Sequence, residues 1–418
     1  MIEVSPLSHC NGMVTIPGSK SYTHRAVILS SLAEGESILI HALRCEDTEH
    51  TIQALIKFGV PVFWESDDIR VLGRGGKFKT TDDRIDVGNS GTSMRFLTAL
   101  AALKKGITLL DGSERMRKRP IGELLNGLGE LGVRAYSQKG DDCPPVVVES
   151  QGLNGGTVRI RGEKSSQFLS GLLMVAPYAH GDVNIEVRGS LASKPYVDVT
   201  LDVMSAFGVG IRSQGYQSFF VKAGQRYLPQ RYRIEGDASN ASYFFSAAAV
   251  CRGKVKVKNL NPATVQGDIR FLEILERKGC HVTRGSDWVE VQGGELDGIE
   301  VDMNEMPDLV PTLAVTAAFA RGKTVIQNIG HLRFKESDRL HALAIELSKM
   351  GIRVNEGEDG LEIEGGKPHG AEIETYDDHR MAMSFAIAGL VVPGIKIKGE
   401  RCVEKSFPGF WETIQKLC

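Results

Sequence analysis

Six stretches of this chain are apolar on nearly every side and rich in Ala, Gly and Ser: residues 21–35, 90–103, 166–179, 239–250, 307–320 and 377–390. A helix on a protein surface carries one apolar stripe, whereas these segments have no polar face to give to water, so the pattern predicts helices buried all round. Each is followed by a short β-branched run, ESILIHAL, GITLLDGS, GDVNIEV, GKVKVKNL, GKTVIQNI or GIKIKGE. A second helical segment comes next, apolar on one face only: residues 46–59, 119–132, 194–208, 266–279, 335–351 and 405–417. Five of the six then run into a hairpin-like pair with Gly or Asp at the turn, as in VTRGSDWVEVQGG and IRVNEGEDGLEIEGG. The sixth has no chain left for one, and the N-terminal strands, within residues 1–16, are the candidates to complete it.

The buried segments start about 70 residues apart. The repeated unit is therefore strand, buried helix, strand, surface helix, hairpin. Six copies predict an α/β protein of two similar domains with three units each, since 418 residues exceed one ordinary core. No Pro- or Ser-rich linker marks a boundary, and the repeat count puts it near residue 235.

Composition narrows the partners. With 42% hydrophobic residues, 24% charged residues and a formal net charge of -2, the chain has neither the basic excess of a nucleic-acid binder nor that of a membrane-surface protein. No apolar run reaches the roughly 20 residues needed to span a bilayer, and MIEVSPLSHC has no signal-peptide pattern, so a cytoplasmic protein is expected. The seven cysteines (Cys10, Cys45, Cys143, Cys251, Cys280, Cys402, Cys418) lack CxxC spacing and read as reduced and structural.

Charge within the repeats is less ordinary. In PGSKSYTHRA (17–26), Pro17 and Gly18 end a strand-like run, Ser19 or Ser21 can cap a helix, and Lys20 and Arg25 stand where the helix dipole is positive and an acid would be the stabilising choice. An anion sharing that turn removes the conflict, because backbone N–H groups, hydroxyls and the ammonium converge on it. Asn89, Gly91, Thr92 and Arg95 open the second buried helix, Ser165, Ser166 and Gln167 the third, Asp308 the fifth, and His379 and Arg380 the sixth. Arg119, Lys194, Lys335 with Arg339, and Lys405 are expected at the starts of surface helices. If the repeats fold alike, these helix ends share one address in each domain, and two facing domains form a positive cleft in a nearly neutral protein, suited to a small polyanion.

The motifs PGSKSYTHRA, GNSGTSMRF, RMRKRP, SSQFLSGLL, KPYVDVT, GDASNASYF, PDLVP, RFKESDR, DDHRMAM and EKSFPGF resemble, in order and spacing and over essentially the whole chain, those of the EPSP synthase (3-phosphoshikimate 1-carboxyvinyltransferase) family. The resemblance implies the enolpyruvyl transferase fold: two domains, each of three βαβαββ units with parallel helices buried and sheets outside. It also implies crossovers near residues 15 and 235. The lobes are then 15–235 and 1–14 plus 236–418, with the active site in the cleft between them.

The implied reaction moves the enolpyruvyl group of phosphoenolpyruvate to the 5-hydroxyl of 3-phosphoshikimate and releases phosphate, in a monomer, without metal or organic cofactor. By resemblance, Lys20, Ser21, Arg25, Ser165, Ser166, Gln167, Ser193 and Tyr196 hold 3-phosphoshikimate, with Asp308 and Lys335 beside it. Lys20, Asn89, Gly91, Arg119, Gln167, Arg339, Arg380 and Lys405 hold phosphoenolpyruvate. Arg119 is selected from SERMRKRP by its place before Pro120. Asp308, with Lys335 as its neighbour, is the candidate base for the hydroxyl proton, and Glu336 or Lys20 the acid that protonates the methylene carbon. His331 stands where some relatives carry a hydrogen-bonding amide.

Two other readings are distinguishable. The related UDP-N-acetylglucosamine 1-carboxyvinyltransferases carry an asparagine after the first lysine and a reactive cysteine in the loop before the equivalent of Arg119. Here Ser21 follows Lys20, and residues 111–119, DGSERMRKR, contain no cysteine. A non-catalytic anion-binding protein of the same fold has no need for Asp308, Glu336 and Lys20 together.

Overall fold

The structure, a computed structural model, describes residues 1–79 and 84–417, so Cys418 lies outside the described residues. The chain divides into two compact units, Gly18–Ile234, and Met1–Pro17 with Glu235–Cys418. The helices of the first unit are α1 (Lys20–Leu32), α2 (Glu46–Lys57), α3 (Gly91–Ala101), α4 (Gly122–Glu130), α5 (Gln167–Val175) and α6 (Pro195–Ala206). Those of the second are α7 (Ala238–Cys251), α8 (Phe271–Arg277), α9 (Val310–Ala317), α10 (Arg339–Lys349), α11 (His379–Gly389) and α12 (Phe410–Ile414).

The odd-numbered helices are the buried ones. Every residue of α11 is buried, as is α1 from Tyr22 onward and α7 up to Val250. The even-numbered helices bury one face; α2 packs Ile52, Ala54 and Leu55 inward and leaves Gln53 and Lys57 to solvent. Each unit encloses one hydrophobic core. All-round apolarity had to end this way, because a helix with no polar face is stable in water only when others cover it.

Four of the six buried helices lie between two parallel strands of one sheet: Arg84–Asp86 and Gly106–Asp111 flank α3, Gly156–Arg161 and Val183–Arg188 flank α5, and the same holds for α9 and α11. The other two exchange strands. Asn11–Thr15, just before α1, pairs with Lys254–Lys258, which follows α7; Arg231–Arg233, just before α7, pairs with Glu34–Ile40, which follows α1. The five expected hairpins form antiparallel pairs.

The exchange corrects one expectation. Only Ile2–Val4 completes the sixth unit, pairing with Ile395–Ile397, while Asn11–Thr15 completes the fourth. The reason is that Arg231–Arg233 is used by the first unit's sheet, which leaves the fourth without a parallel strand of its own. The first crossing comes at 17/18 rather than 14/15, because Ile16 N still donates to Lys258 O (3.3 Å) and Pro17 O accepts from Asp237 N (3.0 Å).

Several helix starts also differ from expectation. Lys335 is not on α10, which begins at Arg339 with Asp338 as its cap, accepting from His341 N at 3.2 Å; a 3-10 turn, Gly330–Phe334, comes first. Arg119 follows the 3-10 turn Met116–Lys118 and precedes α4, and Lys405 ends the 3-10 segment Glu400–Lys405 ahead of the short α12. Ser19 occupies the N-cap of α1 without a side-chain cap; its carbonyl instead accepts from the Thr23 hydroxyl at 2.8 Å. Ser21 lies inside the first turn. Among the described residues no helix is long and apolar enough to cross a membrane.

Two glycines test this packing in opposite directions. A Cβ on Gly389 of α11 would lie 2.5 Å from Val4 Cβ, so Gly389→Ala pushes the N-terminal strand off the helix and costs about 1–3 kcal/mol in denaturant unfolding. On Gly129 of α4 a Cβ meets nothing within 4 Å, and Gly129→Ala stabilises by about 0.5–1 kcal/mol.

Candidate active site

In the first unit the N-terminal turns of five helices are tied together side chain by side chain. Lys20, first residue of α1, gives Nζ to Asp47 Oδ2 of α2 at 2.9 Å, with the lysine side chain 15% exposed and the aspartate 3%. The Asp47 carbonyl accepts from Ser93 Oγ of α3 at 3.1 Å. Thr92 of α3 accepts from Gln167 Nε2 of α5 at 3.0 Å, and Ser170 of α5 from Thr200 of α6 at 2.9 Å.

Arg25 closes the ring from within α1: Nε reaches Thr200 Oγ1 (2.7 Å), Nη1 the Ser21 carbonyl (2.9 Å) and Nη2 the Tyr196 carbonyl (3.0 Å), with Phe96 beneath the guanidinium. Burial lowers its pKa to about 10, the nearby Tyr196 and Tyr22 acting the other way, so it stays cationic at neutral pH. Both terminal nitrogens keep N–H donors for a ligand.

The same turns bring the other first-unit candidates together. Ser165 Oγ accepts from Gln167 N at 3.2 Å, and Ser166 is the N-cap of α5. Ser193 holds a left-handed conformation (φ 57°) and turns the chain into α6, whose first turn carries Tyr196. Arg119 Nη1 donates to the Asn89 carbonyl at 3.0 Å and to Asn89 Oδ1 at 3.4 Å. Glycine at position 91 lets Arg119 pack against the backbone, since a Cβ there would fall 2.3 Å from Arg119 Nη2 and displace the guanidinium.

In the second unit, Asp308 lies in the 3-10 turn Pro307–Leu309 before α9 and joins two arginines. Oδ1 accepts from Arg339 Nη1 at 3.1 Å and Oδ2 from Arg380 Nη2 at 2.6 Å. Arg339, 1% exposed, also donates Nε to Asp378 Oδ2 at 2.8 Å and Nη2 to Glu336 Oε2 at 2.9 Å. Asp378, the N-cap of α11, accepts from Arg380 N and from Ser337 Oγ, each at 3.0 Å. Arg380 Nη1 donates to Tyr243 Oη at 3.2 Å. Lys405 is buried at the end of its 3-10 segment.

The electrostatics follow from these contacts. Burial raises the Asp308 carboxyl, but Arg380, Arg339 and Lys335 outweigh it and hold the group far below the ordinary carboxylate range. Arg339 and Arg380 bond Asp308 directly, and the charge of Lys335 adds to their effect. Burial and Lys335 push His331 down to about 3, so its ring is neutral at physiological pH; its Nε2 is buried with no hydrogen-bond partner among the described residues. Burial and the neighbouring Asp308 raise Asp268 to about 6, while Ser239 donates to its Oδ2. No group of three or more His, Cys, Asp or Glu side chains able to hold a metal ion occurs among the described residues.

Sequence reasoning missed Asp47, Asp378 and Tyr243. Asp47 reads as an ordinary acidic first turn, and Asp378 precedes HR in a motif whose basic residues drew the attention. The usable signal was the same in both: an acid in the first turn of a helix whose motif also needs a buried cation neutralised.

Asp268 gives a pH test. Its folded pKa lies above the unfolded value of roughly 3.9, so its contribution to stability is full below that value and is lost as pH rises through about 6. Asp268→Asn, whose amide oxygen still accepts from Ser239, is expected to raise unfolding free energy by about 1–3 kcal/mol at pH 7 and by little at pH 4, measured by denaturant titration at both.

Comparison with known proteins places these features in a family. The sequence model described as EPSP synthase (3-phosphoshikimate 1-carboxyvinyltransferase) matches residues 4–414. The 3-phosphoshikimate 1-carboxyvinyltransferase of Sulfurovum sp. (strain NBC37-1) is 44% identical over 100% of this chain and 99% of its own. That of Methanoculleus marisnigri is 46% identical over 99% and 98%. A solved structure of EPSP synthase from Acinetobacter baumannii superposes with a TM-score of 0.83 at 29% identity, covering 99% of this chain and 97% of that one. Matched end to end by sequence and by fold, the chain belongs to the EPSP synthase (3-phosphoshikimate 1-carboxyvinyltransferase) family.

Proposed function

We propose that this chain transfers the 1-carboxyvinyl group of phosphoenolpyruvate to the 5-hydroxyl of 3-phosphoshikimate, releasing inorganic phosphate, as a cytoplasmic monomer that uses no metal or organic cofactor. The observation that carries this reading is the pairing of Asp308 with both Arg339 and Arg380 in a full-length member of the family. The reading draws on residues of both units for each substrate. Lys20, Ser21, Arg25, Ser165, Ser166, Gln167, Ser193 and Tyr196 bind 3-phosphoshikimate together with Asp308 and Lys335. Lys20, Asn89, Gly91, Arg119, Gln167, Arg339, Arg380 and Lys405 bind phosphoenolpyruvate. Planar guanidinium forks suit its carboxylate and its phosphate alike.

Asp308 paired to two arginines is a weak base, because both cations stabilise its ionised form. When the donor's carboxylate and phosphate take those forks, the positive field on Asp308 falls and its proton affinity rises. Base strength thus develops only once the donor is bound. Asp308 then removes the 5-hydroxyl proton as the oxygen bonds to C2 of phosphoenolpyruvate, while Glu336 or Lys20 adds a proton to the methylene carbon. Loss of that proton from the resulting methyl group, with departure of phosphate from C2, restores the double bond on the new ether. The cations offset charge on the tetrahedral intermediate throughout.

Purified protein with both substrates is expected to release phosphate; none above background would refute the transferase reading. Asp308→Asn is expected to lower kcat by about 100-fold or more with substrate KM values changed by less than about fivefold, measured by steady-state phosphate release. Calorimetry is expected to show phosphoenolpyruvate binding at least about tenfold more tightly in the presence of 3-phosphoshikimate than alone, since the acceptor completes the donor's site. Equal affinities would contradict that coupling.

A further inference from the structure

Between the strand Glu372–Ile373 and α11 the chain makes a turn that leads directly into the Arg339 and Arg380 cluster. Two consecutive non-glycine residues in it, Tyr376 and Asp377, hold left-handed backbone, each with φ 54°. For a bulky residue such as tyrosine that conformation is an outlier, and it persists only where surrounding contacts over-determine it. Asp378, next in the chain, caps α11, fixes Arg339 through two bonds and accepts from the Arg380 backbone N–H. Any relaxation of the turn therefore moves the anchor of both arginines.

The contact that opposes relaxation is a buried carboxylate on another helix. Glu346, in α10, is fully buried; its Oε2 accepts from Glu374 N at 3.0 Å and its Oε1 from Tyr376 Oη at 2.8 Å. Lys349 supplies the countercharge, with Nζ at 2.9 and 2.7 Å from the two oxygens. One side chain thus grips the turn at its first backbone N–H and at the tip of the strained residue. A carboxylate accepting a backbone amide, a phenol and an ammonium is fully satisfied, which accounts for its burial. Farther along, the Asp378 amide closes the turn on the Thr375 carbonyl at 2.9 Å.

We infer that Glu346 is a positioning residue: it clamps the strained Tyr376–Asp377 turn and thereby sets, through Asp378, the arginine pair that receives phosphoenolpyruvate. The inference deepens the transferase reading and rests on it for the kinetic readout. Glu346→Gln keeps the volume but puts an NH₂ where an acceptor stood, so it cannot satisfy all three donors. Tyr376→Phe removes one grip at a partly exposed position while leaving the strain. Asp377→Gly relieves part of the strain, because glycine populates positive φ freely.

The test uses the full chain. In phosphate-release kinetics, Glu346→Gln is expected to raise KM for phosphoenolpyruvate about tenfold, with KM for 3-phosphoshikimate within about twofold of wild type, and Tyr376→Phe to move the same constant in the same direction by about threefold. Glu346→Gln/Asp377→Gly is expected to recover to within about threefold of Asp377→Gly alone. Hydrogen exchange followed by mass spectrometry across residues 372–380 is expected to be about tenfold faster in Glu346→Gln than in wild type, and this holds whether or not the protein turns over. Proportionate changes in both KM values, or unchanged exchange across the turn, would overturn the clamp. A wild-type protein that releases no phosphate would refute the transferase reading instead, and exchange alone would then decide the clamp.

Discussion

The guanidinium of Arg339 is almost completely withdrawn from water, and the charged cluster at the helix starts of the second unit is arranged around that constraint. A buried cation without partners costs several kcal/mol, so carboxylates must be brought to it. Three are: Asp378, Glu336 and Asp308, from the segments that open α11, α10 and α9. The charge requirement of one side chain thus fixes where three helices begin relative to one another. With Arg380 shared between Asp308 and Tyr243, the charges of the cluster largely offset one another.

The first unit solves the same problem with fewer charges. Lys20 has Asp47, whereas Arg25 is held by two carbonyls and a hydroxyl. Serine, threonine and glutamine side chains join the helix N-termini instead. The second unit gathers ion pairs at its helix starts; the first gathers hydroxyl and amide side chains at the positive ends of helix dipoles.

Legibility in the sequence differed by kind of residue. The buried helices could be read because all-round apolarity has one outcome in water, and α7, with its Ala- and Phe-rich run, is the plainest case. The hairpins could be read from local turn chemistry. Lys20, Arg119, Arg339 and Arg380 stood out as candidates because cations expected at helix starts are disfavoured by the dipole there. Asp47 and Asp378 did not, because an acid near a helix start is locally favourable and its second role becomes visible only when its partner, 27 or 39 positions away, is brought alongside. Glu346 was equally hidden: on an amphipathic helix it reads as one more solvated acid.

The sequence by itself determined the six-unit repeat, which of its helices go inside, and the concentration of basic and hydroxyl side chains at their starts, since each of these is set by neighbours within one helical turn or one hairpin. Tertiary structure alone decided that Asn11–Thr15 and Arg231–Arg233 trade sheets, that α10 starts at Arg339 rather than Lys335, and which carboxylate neutralises which arginine. Those outcomes depend on strand edges left vacant and charges left uncompensated by distant parts of the chain, and neither quantity exists until the backbone has folded.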